Sequence, residues 1–157
     1  MARKKIALIG AGNIGGELAN LCIQKQLGDV VLFDIPAKEK FAQGKALDLE
    51  QAAALYGADA KVTGTSDWKE CAGADVIIIT AGIPRKPGMS RDDLLATNAK
   101  IMTDVCQQVQ KTSEHAIVIV VSNPLDAMVQ RAQQVTGFDP HQVVGQAGIL
   151  DTARYRT

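Results

Sequence analysis

The chain is poor in aromatic residues: one tryptophan, two tyrosines and three phenylalanines make up 4% of its 157 residues. A core of that composition has to be aliphatic, built from Ile, Val, Leu and Ala. Histidine is scarce, at two residues, and the three cysteines, Cys22, Cys71 and Cys106, lie far apart. Neither type shows a zinc or redox spacing, so no metal site is expected. The cysteines read as buried reduced thiols, which places the protein in the cytoplasm. No apolar run approaches the roughly 18 residues of a membrane span. After the basic start, the first apolar stretch is broken by Gly10, Gly12, Gly15 and Gly16, which excludes a signal-peptide core. Net charge is lacking too: 17 Lys and Arg balance 17 Asp and Glu. That balance suits neither nucleic acid nor a membrane surface as partner.

What is present is a regular alternation of short apolar runs and longer amphipathic ones. The stretch KKIALIGAG reads as a buried strand ending in a tight turn. From Asn13 to Leu27, Ile14, Leu18, Leu21 and Cys22 recur at helical spacing, and Gly28 is expected to stop the helix. Residues 30–34 read as a second strand, and 39–54 as a helix with Phe41, Leu47 and Ala54 on its inner face. Residues 60–65 and 75–80 read as the third and fourth strands. The prolines and glycines of 81–91, AGIPRKPGMSR, forbid regular structure. A long helix is expected from about Asp92 to Lys111. Residues 116–121 form a fifth strand ended by Pro124, and LDAMVQRAQQVTG a helix closed by Gly137. Residues 142–146 read as a sixth strand, and a last helix starts at 148. Near-continuous apolar strands alternating with helices imply an α/β class and one doubly wound parallel sheet, helices on both faces, with right-handed crossovers.

The glycines of IALIGAGNIGG form G-x-G-x-x-G at Gly10, Gly12 and Gly15. The string alone is weak, but here a strand precedes it and a helix follows. Gly10 would allow the tight turn, Gly12 the approach of a pyrophosphate, and Gly15 close packing of helix on strand. The helix N-terminus would offer its free N–H groups to the phosphates. Asp34 follows Gly15 by 19 residues, at the end of the second strand. A carboxylate there accepts hydrogen bonds from a ribose and repels a 2′-phosphate, so NAD is expected over NADP.

Two further segments leave strands at the edge where open α/β sheets bind ligands. The loop GIPRKPGMSR carries Arg85, Lys86 and Arg91, with Gly82 and Gly88 as hinge points. Three cations on a lid suit an anionic substrate of more than one charge. VVSNP puts the amide of Asn123 at the end of the fifth strand. In the tail, GILDTARYRT, Asp151 and Arg154 are three apart, which brings them onto one helix face.

Taken together, GAGNIG, the aspartate at 34, TAGIPRKPGMSR, SNP and LDTARYR resemble, in order, the lactate/malate dehydrogenase family, and within it the malate-specific, lactate-dehydrogenase-like branch. The resemblance implies a Rossmann sheet of about six strands in order 3-2-1-4-5-6. It places Gly10, Gly12, Asn13, Ile14, Gly15, Asp34, Thr80, Ala81, Gly82, Asn98, Val121 and Asn123 around NAD. It implies that Arg85 pairs with the second carboxylate of oxaloacetate or malate, where lactate dehydrogenases carry glutamine. Arg91 would polarise the reacting carbonyl, Asn123 would hydrogen-bond substrate, Arg154 would fork onto the first carboxylate, and Asp151 would orient the catalytic histidine. A homo-oligomer, tetramer or dimer, is implied for the intact enzyme.

The pattern breaks at that histidine, which the family carries beyond the Asp-x-x-Arg motif. His115 and His141 precede the fifth and sixth strands, at the end away from ligands. The chain is therefore expected to be a cofactor domain over 1–147 followed by the truncated start of a helix, 148–157, and to turn over poorly alone. That helix is expected to fray or to need a partner, and Ile149 and Leu150 to be exposed. Two rival readings are a non-enzymatic NAD-sensing module and a lactate or other 2-hydroxyacid dehydrogenase. The paired carboxylate clamps argue against the first, and Arg85 against the second.

Overall fold

The structure is a computed structural model and describes residues 3–157. Six parallel strands carry the chain: β1 (Lys5–Ile9), β2 (Asp29–Phe33), β3 (Val62–Thr65), β4 (Val76–Ile79), β5 (Ile117–Val120) and β6 (Val143–Gly145). Five α-helices connect and extend them: α1 (Asn13–Gln24), α2 (Glu39–Ala53), α3 (Arg91–Thr112), α4 (Leu125–Thr136) and α5 (Gly148–Arg156). The strand order is β3-β2-β1-β4-β5-β6, as the resemblance implied. Every pairing is parallel, with Ile9 beside both Phe33 and Ile79, and Val120 beside Gly145.

Alternation along each strand divides the core in two. Ile6 and Leu8 face α1 and α2, and pack with Ala19, Ile23, Leu32, Ala42 and Ala46. Ala7 and Ile9 face α3 and α4, and pack with Ile77, Met102, Val109, Val118 and Met128. Strands buried on both faces have no polar side, which is why they read as unbroken apolar runs. Cys71 and Cys106 are fully buried, and burial pushes both thiols up to about 12. Among the described residues, no helix is long and apolar enough to cross a membrane.

The inner face of α2 corrects the sequence reading. Phe41, Leu47 and Ala54 are all exposed, and Ala42, Ala46 and Ala53 are buried instead. The cause is a close approach of backbones. A Cβ on Gly64 of β3 would lie 2.3 Å from the Ala42 carbonyl oxygen, so α2 rests on the strand with no room for large side chains. In α1, likewise, Ile14 and Leu21 are exposed, while Gly15, Ala19, Cys22 and Ile23 are buried.

The end of α1 also differs. It stops at Gln24, not at Gly28. The Leu27 N–H donates to the Cys22 carbonyl and the Gln26 N–H to the Ile23 carbonyl, both at 2.9 Å, which is the Schellman pattern. Gln26 holds the left-handed position at φ 51°, where glycine is the usual residue. Gly28 serves packing: a Cβ there would meet the Lys4 carbonyl oxygen at 2.3 Å. Gln26→Gly is expected to stabilise the chain by about 0.5–1 kcal/mol, because relief of the left-handed strain exceeds the added freedom of the unfolded chain. An unchanged or lowered melting temperature would contradict this.

Candidate functional site

The sheet changes winding direction between β1 and β4, so the C-terminal ends of these neighbours leave a crevice at the switch point. The glycine turn fills one side of it. Gly10 has φ 116°, and its N–H donates to the Phe33 carbonyl at 2.8 Å. A Cβ there would strike Thr80 Oγ1 at 2.7 Å, and one on Gly15 would lie 1.9 Å from the Gly10 carbonyl oxygen. Both positions are closed to any side chain by the protein itself. Gly12 is different: nothing lies within 4 Å of its would-be Cβ. It is the N-cap of α1, and neither a side-chain cap nor an acidic residue serves that first turn. By contrast, α3 begins with a capping box in which Ser90 and Asp93 bond reciprocally. The bare start of α1 leaves donors and a positive dipole end facing open space, which suits an anion.

Asp34 stands beside this turn, half-buried just past β2. Its Oδ2 accepts the Ala11 N–H at 3.0 Å and its Oδ1 the Ile35 N–H at 2.8 Å. The carboxylate is thus held in place by backbone donors, with lone pairs left for a ligand hydroxyl. The Thr80 hydroxyl reaches the Gly10 carbonyl at 3.1 Å and locks the end of β4 to the turn. Ala81 and Gly82 continue from there, and Val121 hydrogen-bonds β4 through its N–H to the Ile79 carbonyl at 2.9 Å. Asn13 and Ile14 are exposed on the first turn of α1. Asn98 is only 3% exposed, and its amide is spent on the backbone of Ile83 and Asn123.

The charged residues are less gathered. Arg85 is exposed, and its Nε donates to the Met89 carbonyl at 3.0 Å, so the loop closes on itself. Arg91 is the exposed first residue of α3. Asp151 and Arg154 share a face of α5, and their Oδ1 and guanidinium are 3.0 Å apart. That pair is exposed on both sides and contributes little to stability. The formed α5 buries none of its residues, and Ile149 and Leu150 are exposed as expected. His115 and His141 are almost fully exposed before β5 and β6, at the opposite end of the sheet. No group of three or more His, Cys, Asp or Glu among the described residues could hold a metal ion. A depression of about 760 Å³ lies between β6 and α5 and is lined by Val144, Ala147, Ile149 and Ala153, with Gln146, Thr152 and Arg156. No residue of the glycine turn lines it, so the chemistry marks the site better than depth does.

Two residues of the site were not singled out from the sequence. Lys45 reaches across from α2, donates to the Gly12 carbonyl at 2.8 Å and lies 5.0 Å from the centre of the Phe41 ring. Its ammonium adds positive charge beside the bare helix start. Ser122 is buried, and its hydroxyl donates to the Ala81 carbonyl at 2.6 Å, tying the ends of β4 and β5 together. For Lys45 no local signal existed, since only the packing of α2 on α1 brings it near. For Ser122 the signal was a hydroxyl at the end of an apolar strand, two residues before a proline.

Comparison with known proteins agrees with this geometry. The family model for the lactate/malate dehydrogenase NAD-binding domain matches residues 4–145. A malate dehydrogenase of Rhodopirellula baltica is 60% identical over 157 residues, all of this chain and 50% of the relative. One of Sorangium cellulosum is 62% identical over 154 residues, 98% of this chain and 49% of the relative. Malate dehydrogenase of Cryptosporidium parvum superposes with a TM-score of 0.92 at 50% identity, over 98% of this chain and 48% of that one. Lactate dehydrogenase of the same organism, solved with lactic acid and nicotinamide adenine dinucleotide, gives 0.93 at 46% identity, over 99% and 49%. The chain thus spans about half the length of the relatives it matches. With its glycine turn, its anchored Asp34 and its strand order in place, the chain belongs to the lactate/malate dehydrogenase family, through the NAD-binding domain of that family.

Proposed function

We propose that the chain is the cofactor-binding half of an NAD-dependent malate dehydrogenase. Residues 1–147 form the dinucleotide domain, and 148–157 begin the helix that leads to a substrate domain. The observation that carries this reading is Asp34, whose carboxylate is bonded to the Ala11 N–H of the glycine turn. That bond sets ribose recognition beside pyrophosphate recognition and favours NAD over NADP.

Resemblance in fold does not choose the substrate, because malate and lactate dehydrogenases superpose equally well. Arg85 makes the choice, as a cation for the second carboxylate of oxaloacetate. Arg85 and Arg154 exchange their present partners, the Met89 carbonyl and Asp151, for the two substrate carboxylates. Arg91 polarises the carbonyl, and Asn123 hydrogen-bonds it. NAD, when bound, supplies the hydride chemistry. Asp151 orients a histidine that supplies the proton, and neither His115 nor His141 is placed to be that histidine. The exposed Ile149 and Leu150 belong to a surface that a second domain or another copy of the chain covers. Three buried thiols support a cytoplasmic location.

The test is a fluorescence titration with NADH, with NADPH beside it. Saturable NADH binding with far weaker NADPH binding is expected, and absence of both from a folded chain would overturn the reading. The 157-residue chain alone is expected not to oxidise NADH with oxaloacetate at a useful rate. Sustained oxaloacetate-dependent oxidation that disappears in Arg91→Ala would show the proton donor to lie within it.

A further inference from the structure

The segments that carry Arg85, Arg91 and Asn123 meet at one side chain. Asn98 lies on α3, seven residues or about two turns beyond Arg91, and so on nearly the same helix face. It is 3% exposed, one of few polar side chains buried in the chain. Its Oδ1 accepts the Ile83 N–H at 2.9 Å, and its Nδ2 donates to the Ile83 carbonyl at 3.2 Å. The same Nδ2 donates to the Asn123 carbonyl at 2.7 Å. The orientation of the amide is unambiguous, because a flipped amide would set its NH₂ against the Ile83 N–H.

Ile83 stands two residues before Arg85, at the root of the arginine loop. Beyond it the loop has little hold: Arg85 bonds only to the loop's own Met89 carbonyl, and 84–88 are exposed. The paired bonds to Ile83 mimic a strand pairing, fixing the loop where it leaves the sheet. The third bond joins that root to the segment carrying Asn123. The amide also lies against Gly82, where a Cβ would come within 3.3 Å of Oδ1.

We propose that Asn98 is a positioning residue that sets the root of the arginine loop against Asn123. Through α3 it also relates both to Arg91. This rests on the reading that Arg85, Arg91 and Asn123 serve one substrate.

Two variants separate this role from a direct one. Asn98→Leu keeps the branched shape and removes every bond. Asn98→Asp keeps an acceptor for the Ile83 N–H but turns oxygens toward two carbonyls, and protonation restores one donor. Trypsin reads the outcome, since it cuts after Arg85, whereas Lys86 is followed by Pro87. Cleavage at Arg85 is expected to quicken at least about 10-fold in Asn98→Leu at every pH. In Asn98→Asp it is expected to quicken at about pH 8 and to fall back toward the parent rate near about pH 6, because burial against carbonyls raises the carboxyl pKa. A residue that merely stabilised α3 would show no such pH dependence. Unchanged cleavage in both variants would overturn the proposal. So would weaker NADH binding with no change at Arg85, which would mark a direct cofactor contact. If neither variant folds, hydrogen exchange of the parent decides: the Ile83 amide is expected to be protected while those of Arg85 and Lys86 exchange freely, and an unprotected Ile83 would refute the placing role. A parent that fails to bind NADH would overturn the cofactor reading and leave the cleavage comparison to decide this one.

Discussion

Gly12→Ala is expected to leave the fold intact and to weaken NADH binding by on the order of 100-fold, or about 3 kcal/mol. The backbone at Gly12, φ −63° and ψ −163°, is extended and open to any residue, and nothing stands within 4 Å of the new methyl. Stability should be unchanged or raised by about 0.4–1 kcal/mol, from the smaller freedom of the unfolded chain. The loss comes entirely from the ligand side, since the methyl occupies the space through which a pyrophosphate approaches the N–H groups of α1. Gly15→Ala is the control. Its methyl would lie 1.9 Å from the Gly10 carbonyl oxygen, a contact of a fixed Cβ with backbone that no side-chain rotation relieves. That variant should lose about 3 kcal/mol of stability, the upper end of the usual overpacking range, and bind no NADH. Calorimetry beside the fluorescence titration separates the two glycines. Tight NADH binding by Gly12→Ala would mean that the phosphates do not cross the turn at that residue.

Asp34→Asn should shift the preference between the two nicotinamide cofactors by on the order of 100-fold or more. A carboxylate and one phosphate charge about 5 Å apart repel by about 3 kcal/mol at an effective dielectric of about 20. The amide removes that repulsion, so NADPH affinity rises. It also replaces a charged acceptor for the ribose hydroxyls by a neutral one, so NADH affinity falls by about 1 kcal/mol, or several-fold. The amide oxygen still accepts the Ala11 N–H, which keeps the turn in place, while the NH₂ faces the Ile35 N–H and that one bond is lost. Asp34→Ala lacks that acceptor and should lose affinity for both cofactors. Parallel titrations of the two variants distinguish charge from scaffolding. An unaltered ratio of NADH to NADPH in Asp34→Asn would remove Asp34 from ribose recognition.

The glycine turn and the carboxylate beside it could be read from the sequence because their determinants are local. A strand, a glycine turn and a helix follow one another without a break, and the carboxylate of the next strand end lies one crossover away. Apolar runs marked the strands, since a sheet covered on both faces hides every residue of its central strands. The tail's Asp151 and Arg154 met as expected, because three residues of helix place them together whatever surrounds them.

Other features depended on distances that no periodicity encodes. Apolar spacing put Phe41 and Leu47 on the inner face of α2, but the approach of Ala42 to Gly64 leaves room only for methyl groups. A glycine at 28 resembled a helix stop, yet it answers to the Lys4 carbonyl, and Gln26 turns the chain. Lys45, Ser122 and Asn98 bond to backbone groups 33, 41 and 15 to 25 residues away. Composition and local pattern determined the element types, the parallel sheet and the dinucleotide turn. Which side chains brace that turn, and which amide joins the arginine loop to Asn123, followed from the packing of helices on the sheet, because a hydrogen bond forms only where folding has brought its two partners within about 3 Å.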